Sequence, residues 1–158
     1  MWRYFRKATV RKMINNWTYQ NKHFDTTDIP ADVLGFVYLI TDLENNKMYV
    51  GKKKFWSTVT KPPLKGQKRK RKIKKESDWK TYFGSNKELQ EKVKNQKAQN
   101  FKREILVLCK SLGELSYYEA KEQFDRNVLL SDQYYNEFIG CKIHSNHVKL
   151  LKESFNDS

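Results

Sequence analysis

The stretch that decides the fold runs from Gly35 to Gly51 and reads GFVYLITDLENNKMYVG. Its first half, GFVYLIT, and its second, KMYVG, alternate and are rich in β-branched and aromatic residues, which is typical of strands. The polar segment DLENN between them is a turn signal, so the sequence predicts a β-hairpin. Tyr38 and Tyr49 then lie on neighbouring strands, and a lysine triplet directly follows the second.

The segments after the hairpin predict a further strand and two helices. Residues 101–109 begin mixed and end as a continuous apolar run, which favours a central strand covered on both faces. Ser85–Glu88 has the spacing of a capping box, and Ser111–Glu114 and Ser116–Glu119 both offer capping-type spacing for a second helix. The sequence therefore predicts an α+β fold with a small three-stranded, mainly antiparallel sheet flanked by helices.

A length of 158 residues suits one domain with short appendages. Apolar residues at i, i+3, i+4 and i+7 between Val10 and Trp17 predict a helix, and we assign residues 1–30 to an N-terminal helical arm. The main domain is expected over residues 31–150. Residues 151–158 are expected to form a tail.

Positive charge is concentrated in one segment of the chain. The net charge is +14, and twelve of the basic residues lie between Lys52 and Lys75, a stretch that contains no acidic residue. The rest of the chain has twenty basic and eighteen acidic residues and is nearly balanced. A single cationic segment indicates a polyanionic partner, most simply nucleic acid.

Residues 52–76 are predicted to form a long basic insertion loop, because Pro62, Pro63 and Gly66 disfavour regular structure there. The loop is interpreted as a DNA-contacting segment, with a merely solvated loop and a localisation signal as alternatives. The residues expected to contact nucleic acid are Lys53, Lys54, Arg69, Arg71, Lys75 and Lys80.

The chain has no apolar run of the roughly 20 residues that a membrane span requires, and its start lacks the apolar core of a secretory signal. We expect an intracellular, cytoplasmic protein without a membrane partner. Cys109 and Cys141 are expected to be reduced thiols. The spacing of Cys141, His144 and His147 permits a zinc site, with Cys109 as a conceivable fourth ligand, as a weaker alternative.

The two-tyrosine hairpin followed by Lys52 resembles the opening motif of the GIY-YIG nucleases. A helix with Glu119 in a Tyr-Glu-Ala sequence and a later Tyr-Asn pair ending at Asn136 follow in the order that this family has. Two positions depart from the family pattern. The first glycine is displaced by one residue, and Asp78 stands four residues before Tyr82, where the family has an arginine.

The resemblance implies an endonuclease that hydrolyses DNA with Mg²⁺ or Mn²⁺ bound to Glu119. Glu122 is the rival carboxylate. Tyr38, or else Tyr49, is expected to take the proton from water, with Lys52 lowering the pKa of the phenol.

The resemblance also assigns Tyr82 to the site. Asn136 either orients the glutamate or a water molecule, or belongs to a turn without a role. Lys75, Lys80, Arg69 and Arg71 are candidates for the missing arginine's charge. The chain resembles compact phage-encoded members, which implies action in a host cytoplasm. The alternative function is an inactive DNA- or RNA-binding module that uses the basic loop.

Overall fold

The structure, a computed structural model, describes residues 16–156. Its strands are β1 Trp17–Tyr19, β2 Lys22–His23, β3 Gly35–Asp42, β4 Met48–Lys54, β5 Trp56–Lys61, β6 Arg71–Glu76 and β7 Phe101–Cys109. Its helices are α1 Lys87–Asn95, α2 Leu112–Asp125 and α3 Lys149–Asn156. The predicted α+β class is confirmed. Within the described part of the chain, no helix combines the length and hydropathy needed to cross a bilayer.

A five-stranded sheet in the order β2-β1-β7-β3-β4 forms the centre of the fold. The predicted hairpin is present as β3 and β4, which pair antiparallel with Tyr38 opposite Gly51. The predicted third strand is β7, which lies between β3 and β1 in the middle of the sheet. The continuous apolar run at the end of β7 therefore matches its central position.

The prediction of three strands is wrong, because β1 and β2 extend the sheet beyond β7. β1 runs parallel to β7 with Trp17 opposite Arg103, and β2 pairs antiparallel with β1. These strands have three and two residues, which is too short for an alternating pattern to be recognised. Their turn has positive φ at Gln20 (50°) and Asn21 (64°), as a type I′ hairpin loop requires, yet it lacks the usual glycine signal.

Residues 1–15 of the predicted helical arm lie outside the described residues. Trp17, which the helical spacing includes, belongs to a strand instead, and its buried indole Nε1 donates a 2.7 Å hydrogen bond to the carbonyl of Trp79. The sheet therefore begins before residue 31, the predicted start of the main domain. At the other end, α3 occupies all of the described part of the predicted tail, residues 151–156.

The prediction of an irregular loop over residues 52–76 is also wrong. β4 continues through Lys54, and β5 and β6 pair with each other as a separate two-stranded antiparallel sheet. We call residues 56–76 the basic ribbon. Pro62, Pro63 and Gly66 lie only in the connection between its strands, whereas β-branched residues of β5 favour extended structure.

Hydrophobic residues cover both faces of the five-stranded sheet. An aromatic cluster on one face includes Trp17, Phe36 and Tyr38, and the other face packs Val37 and Val50 against α2. Successive side chains of a strand point to opposite faces, so β3 contributes to both layers. Because β4 is the edge strand, side chains from both layers meet at its open edge.

Candidate active site

Residues 133–136 run along the open edge of β4 and cover it. Met48 exchanges two backbone hydrogen bonds of 2.7 Å with this segment. Two residues further along β4, the amide of Asn136 accepts a 3.0 Å hydrogen bond from the Val50 N–H and donates a 2.8 Å bond to the Val50 carbonyl. The side chain thus pairs with β4 as the backbone of a neighbouring strand would.

These contacts give Asn136 a structural position in the wall of a cleft. Gln123 of α2 donates a longer hydrogen bond, of 3.4 Å, to the same carbonyl of Val50. Asn86, which caps α1, donates a 2.9 Å bond to the carbonyl of Tyr135. Two asparagine side chains therefore fix the end of residues 133–136 between β4 and α1.

Tyr38 lies deep in the aromatic layer and is only 1% exposed. Its ring lies 6.2 Å from that of Tyr49 and 6.1 Å from that of Tyr82, measured between centroids. Gly51 lies directly opposite Tyr38, and a Cβ at this glycine would lie 2.6 Å from Cζ of the Tyr38 ring. The glycine at the end of Tyr49-Val50-Gly51 is therefore needed for the close approach of the first tyrosine.

Tyr49 is more accessible, because it lies on the edge strand. Its hydroxyl is 3.0 Å from the Ser85 hydroxyl, and its ring packs on Gly84. Gly84 has φ of +85°, and a Cβ there would lie 3.0 Å from Cε1 of Tyr49. A glycine is required by both the backbone conformation and the tyrosine ring.

Burial raises the pKa of both hairpin tyrosines, well above the usual value for Tyr38. Nearby Tyr82 and Tyr49 raise the pKa of Tyr38 further, and the hydrogen bond between Tyr49 and Ser85 partly offsets the rise in the pKa of Tyr49. This direction differs from the expectation that Lys52 lowers a tyrosine pKa. Lys52 alternates with Tyr49 along β4 and points to the opposite face.

Lys52 and Glu119 form an ion pair at the edge of the sheet. The Lys52 ammonium is 2.9 Å from Oε2 of Glu119 and donates a 3.2 Å hydrogen bond to the hydroxyl of Ser116. Both partners belong to α2, which begins at Leu112 with Ser111 as its N-cap, the first of the two predicted capping positions. The helix and the edge strand together hold the glutamate half-buried.

A cleft of about 510 Å³ opens at this edge. Of the predicted site residues, it brings together Tyr49, Glu119 and Asn136. Sequence reasoning missed the other side chains that line it: Ser85, Asn86, Lys87, Gln123, Glu137 and Phe138. The capping pattern at Ser85–Glu88 predicts the helix but not that its first turn faces the cleft.

Tyr82 and Lys53 lie on the aromatic side of the sheet. The Lys53 ammonium is 3.8 Å from the centroid of the Tyr82 ring and 2.6 Å from Oδ1 of Asp78. Lys53 lowers the pKa of Asp78, the residue that stands where the family has an arginine. This lysine is therefore held within the fold by a carboxylate and an aromatic ring.

The candidates for the missing arginine's charge lie outside the cleft lining. Lys80 pairs with Asp25 at 3.0 Å, which raises the pKa of the lysine. Arg71 and Lys75 belong to β6, and Arg69 lies in the connection before it. Lys54, the last residue of β4, lines a separate groove of about 400 Å³ together with Lys53 and Lys75. Among the described residues that line the cleft, Lys87 is the one with a cationic side chain.

No group of three or more His, Cys, Asp or Glu residues within 16–156 is arranged to hold a metal ion. The zinc alternative therefore has no support: Cys109 is buried, while His144 and His147 cap their own short turn. Glu119 is a single carboxylate beside an open cleft. A single carboxylate can hold a hard divalent cation whose remaining ligands are waters and substrate phosphates.

Comparison with protein families gives a match over residues 17–139 to the family described as "Putative endonuclease segE, GIY-YIG domain". The matched range contains the complete sheet, the basic ribbon, α1, α2 and Asn136. Searches of curated proteins and of solved structures gave no match. Members of the matched superfamily are nucleases that generally depend on a divalent metal, and a nuclease domain implies a DNA substrate. Because the match covers well over half of its length, the chain belongs to the GIY-YIG nuclease superfamily.

Proposed function

We propose that the chain is a metal-dependent endonuclease that hydrolyses DNA phosphodiester bonds in the cleft beside β4. The observation that carries the proposal is the convergence of Glu119, Tyr49 and Lys87 on this one cleft. Phosphodiester hydrolysis requires a base for the attacking water, stabilisation of the phosphate charge and help for the leaving oxygen. The three side chains supply groups of the right chemical types for these tasks.

Glu119 is the proposed ligand for Mg²⁺ or Mn²⁺, since hard cations prefer carboxylate oxygens. When bound, the metal supplies Lewis-acid stabilisation of charge on the phosphate and on the leaving oxygen. Lys52 of β4 orients the carboxylate through its 2.9 Å contact, and the 3.2 Å hydrogen bond that it donates to Ser116 of α2 positions the ammonium. Neither Lys52 nor Ser116 lines the cleft.

Tyr49 is the proposed general base, in preference to Tyr38. A base must reach the water from which it takes the proton, and Tyr49 lines the cleft whereas Tyr38 is buried behind it. The ordinary phenol pKa near 10 leaves roughly one molecule in a thousand ionised at pH 7. Burial raises the pKa of Tyr49 further, so the phenolate needs positive charge in the assembled complex.

Lys87 is the proposed substitute for the family's arginine. It is exposed in the first turn of α1 and faces the same cleft as Glu119. A lysine ammonium is a point charge and cannot make the two parallel hydrogen bonds that arginine makes to a phosphate. We therefore expect Lys87 to stabilise phosphate charge without fixing the phosphate's orientation.

An inactive DNA- or RNA-binding module is the second candidate function. It is favoured by Asp78, which replaces the expected arginine and is neutralised by Lys53. The basic ribbon would suffice for nucleic-acid binding without catalysis. This alternative requires that the chain bind DNA and leave it intact in Mg²⁺.

Incubation of supercoiled plasmid with the full chain tests the proposal. We expect nicking in Mg²⁺, none in excess chelator, and a loss of at least about a hundredfold in rate for Tyr49→Phe, the size of a typical general-base contribution. Tyr38→Phe keeps the aromatic packing and serves as the matched control, with a smaller loss expected. Plasmid that is bound but never cut would favour the inactive module. A larger loss for Tyr38→Phe than for Tyr49→Phe would overturn the assignment of the base.

A further inference from the structure

The basic ribbon takes no part in the cleft, and its form indicates a separate role. We propose that the ribbon docks in the major groove of duplex DNA, with the face that carries Thr58, Thr60, Lys72 and Lys74 against the base edges. The inference rests on the proposed DNA substrate and adds a second, groove-reading contact to it.

Within residues 16–156, the ribbon is joined to the rest of the domain only at its base. Its strands pair with each other and with no strand of the five-stranded sheet. At the base, Ser77 donates hydrogen bonds from its backbone N–H to the carbonyl of Phe55 at 2.8 Å and from its hydroxyl to the carbonyl of Lys54 at 2.6 Å. An isolated two-stranded hairpin is marginally stable in water, so a binding partner would stabilise its outer part.

The charge of the ribbon indicates what that partner is. Residues 56–75 contain nine basic residues and no acidic one. Lys61 and Arg71 are directly opposite each other on the two strands, and like charges in this position destabilise a hairpin. Glu76, at the base, already accepts hydrogen bonds from Thr26 and Trp79. A polyanion along the ribbon would relieve this repulsion.

The two faces of the ribbon differ in chemistry. Thr58 lies opposite Lys74, and Thr60 opposite Lys72, so these four side chains share one face, and all four are exposed. The other face has the apolar pair of Val59 and Ile73 at its centre, with Lys75 toward the base and the pair of Lys61 and Arg71 toward the tip.

Base edges in the major groove are polar apart from the thymine methyl group. Threonine can hydrogen-bond a base and contact that methyl group, and lysine can donate to guanine O6 and N7. The face with Thr58, Thr60, Lys72 and Lys74 is therefore the one suited to base edges.

The dimensions of the ribbon fit B-form DNA. A major groove about 12 Å wide admits a two-stranded β-ribbon. Strands of six residues extend roughly 20 Å, which corresponds to about six base-pair steps. A-form RNA has a major groove too deep and narrow for side chains to read, so duplex RNA is the wrong substrate for this surface.

The test measures the affinity of the full chain carrying Glu119→Gln for a mixed-sequence duplex, with and without a bulky C5 substituent on cytosine. That substituent projects into the major groove. We expect it to weaken binding about tenfold or more, comparable to the loss of one good base contact. A small ligand that fills the minor groove should change the affinity by less than about twofold. Equal binding of modified and unmodified DNA would overturn the proposal, as would equal competition by duplex RNA.

Two double variants, each removing two charges, assign the face. With Lys72→Gln and Lys74→Gln, we expect the major-groove substituent to have no further effect. With Lys61→Gln and Lys75→Gln, DNA binding should weaken, but the substituent should still lower the affinity by about the same factor. Removing two phosphate contacts would also lower the slope of log K against log salt concentration by about 1.8. Equal behaviour of the two variants would overturn the face assignment.

A charge-neutral variant, Thr58→Val with Thr60→Val, keeps the β-branched shape and should lower the effect of the substituent without changing the salt slope. An unchanged effect of the substituent would count against base contact by this face. Circular dichroism confirms that each variant is folded.

Binding by the Glu119→Gln chain does not require cleavage, so these outcomes are independent of plasmid nicking. If the chain nicks plasmid but its DNA affinity does not depend on the major-groove substituent, only the ribbon proposal is refuted. If the affinity depends on the substituent but plasmid is not nicked, only the nuclease proposal is refuted.

Discussion

Replacing Asn136 by alanine should destabilise the fold by about 2 kcal/mol. The amide makes two hydrogen bonds to Val50, of 3.0 Å and 2.8 Å, and each such bond contributes about 1 kcal/mol net. Val50 is buried, so water replaces these bonds only in part. For a domain of this size the loss corresponds to about 4–8 °C in melting temperature.

Urea denaturation followed by tryptophan fluorescence measures this loss, because Trp17 and Trp79 are buried and report the folded state. Asn136→Asp keeps the acceptor but places a carboxylate oxygen against the Val50 carbonyl, so it should destabilise at least as much. Asn146→Ala is the control: it changes an exposed residue, and its free energy of unfolding should stay within about 0.5 kcal/mol of that of the unmodified chain.

The stability of the Asn136→Ala variant separates two roles for this residue. If the free energy of unfolding of Asn136→Ala is within about 0.5 kcal/mol of that of the unmodified chain and cleavage is nevertheless lost, the side chain acts on the chemistry. That result would refute the argument that Asn136 serves as the missing neighbour of the edge strand.

Three further predictions concern the cleft. Gly51→Ala should destabilise the fold by about 1–3 kcal/mol, because its Cβ overlaps the Tyr38 ring; an unchanged urea midpoint would contradict the close approach. Tyr49 acts as a base only when it is ionised, and burial raises its pKa. We therefore expect kcat/KM to increase about tenfold per pH unit from neutral pH to above 8. A kcat/KM that does not change with pH would exclude Tyr49 as the base. Lys87→Gln should lower kcat more than Lys94→Gln does. The control removes the same charge from an exposed position on α1 that does not line the cleft. Equal effects on kcat would show that Lys87 has no specific role.

The parts of the fold that sequence could predict are those with local signals. Alternation identifies the β3–β4 hairpin, and the apolar run identifies β7. β1 and β2 carry no such signal, because β1 is stabilised by pairing with β7, more than eighty residues away, and β2 by pairing with β1. The strands of the basic ribbon are not predicted, because Pro62, Pro63 and Gly66 indicate a loop although they lie only in the connection between the two strands.

The candidate site divides in the same way. Glu119 and Tyr49 stand in recognisable motifs, and the structure brings both to one cleft. The pairing of Asn136 with Val50 spans 86 positions, and no local pattern indicates it. Lys87 was missed because capping chemistry predicts where a helix starts, whereas tertiary packing decides what its first turn faces.

The most direct test of the central claim compares Glu119→Gln with Glu122→Gln in cleavage and DNA binding. Glu122 lies on the same helix and pairs with Arg126, so it is a matched control. With saturating protein and Mg²⁺, Glu119→Gln should lower the cleavage rate by about a hundredfold or more, since a metal supplies several kcal/mol to the transition state. Its DNA affinity should stay within about threefold, and Glu122→Gln should change neither quantity by more than that. Cleavage by the Glu119→Gln chain at the unmodified rate would contradict the claim that this cleft is the hydrolytic site.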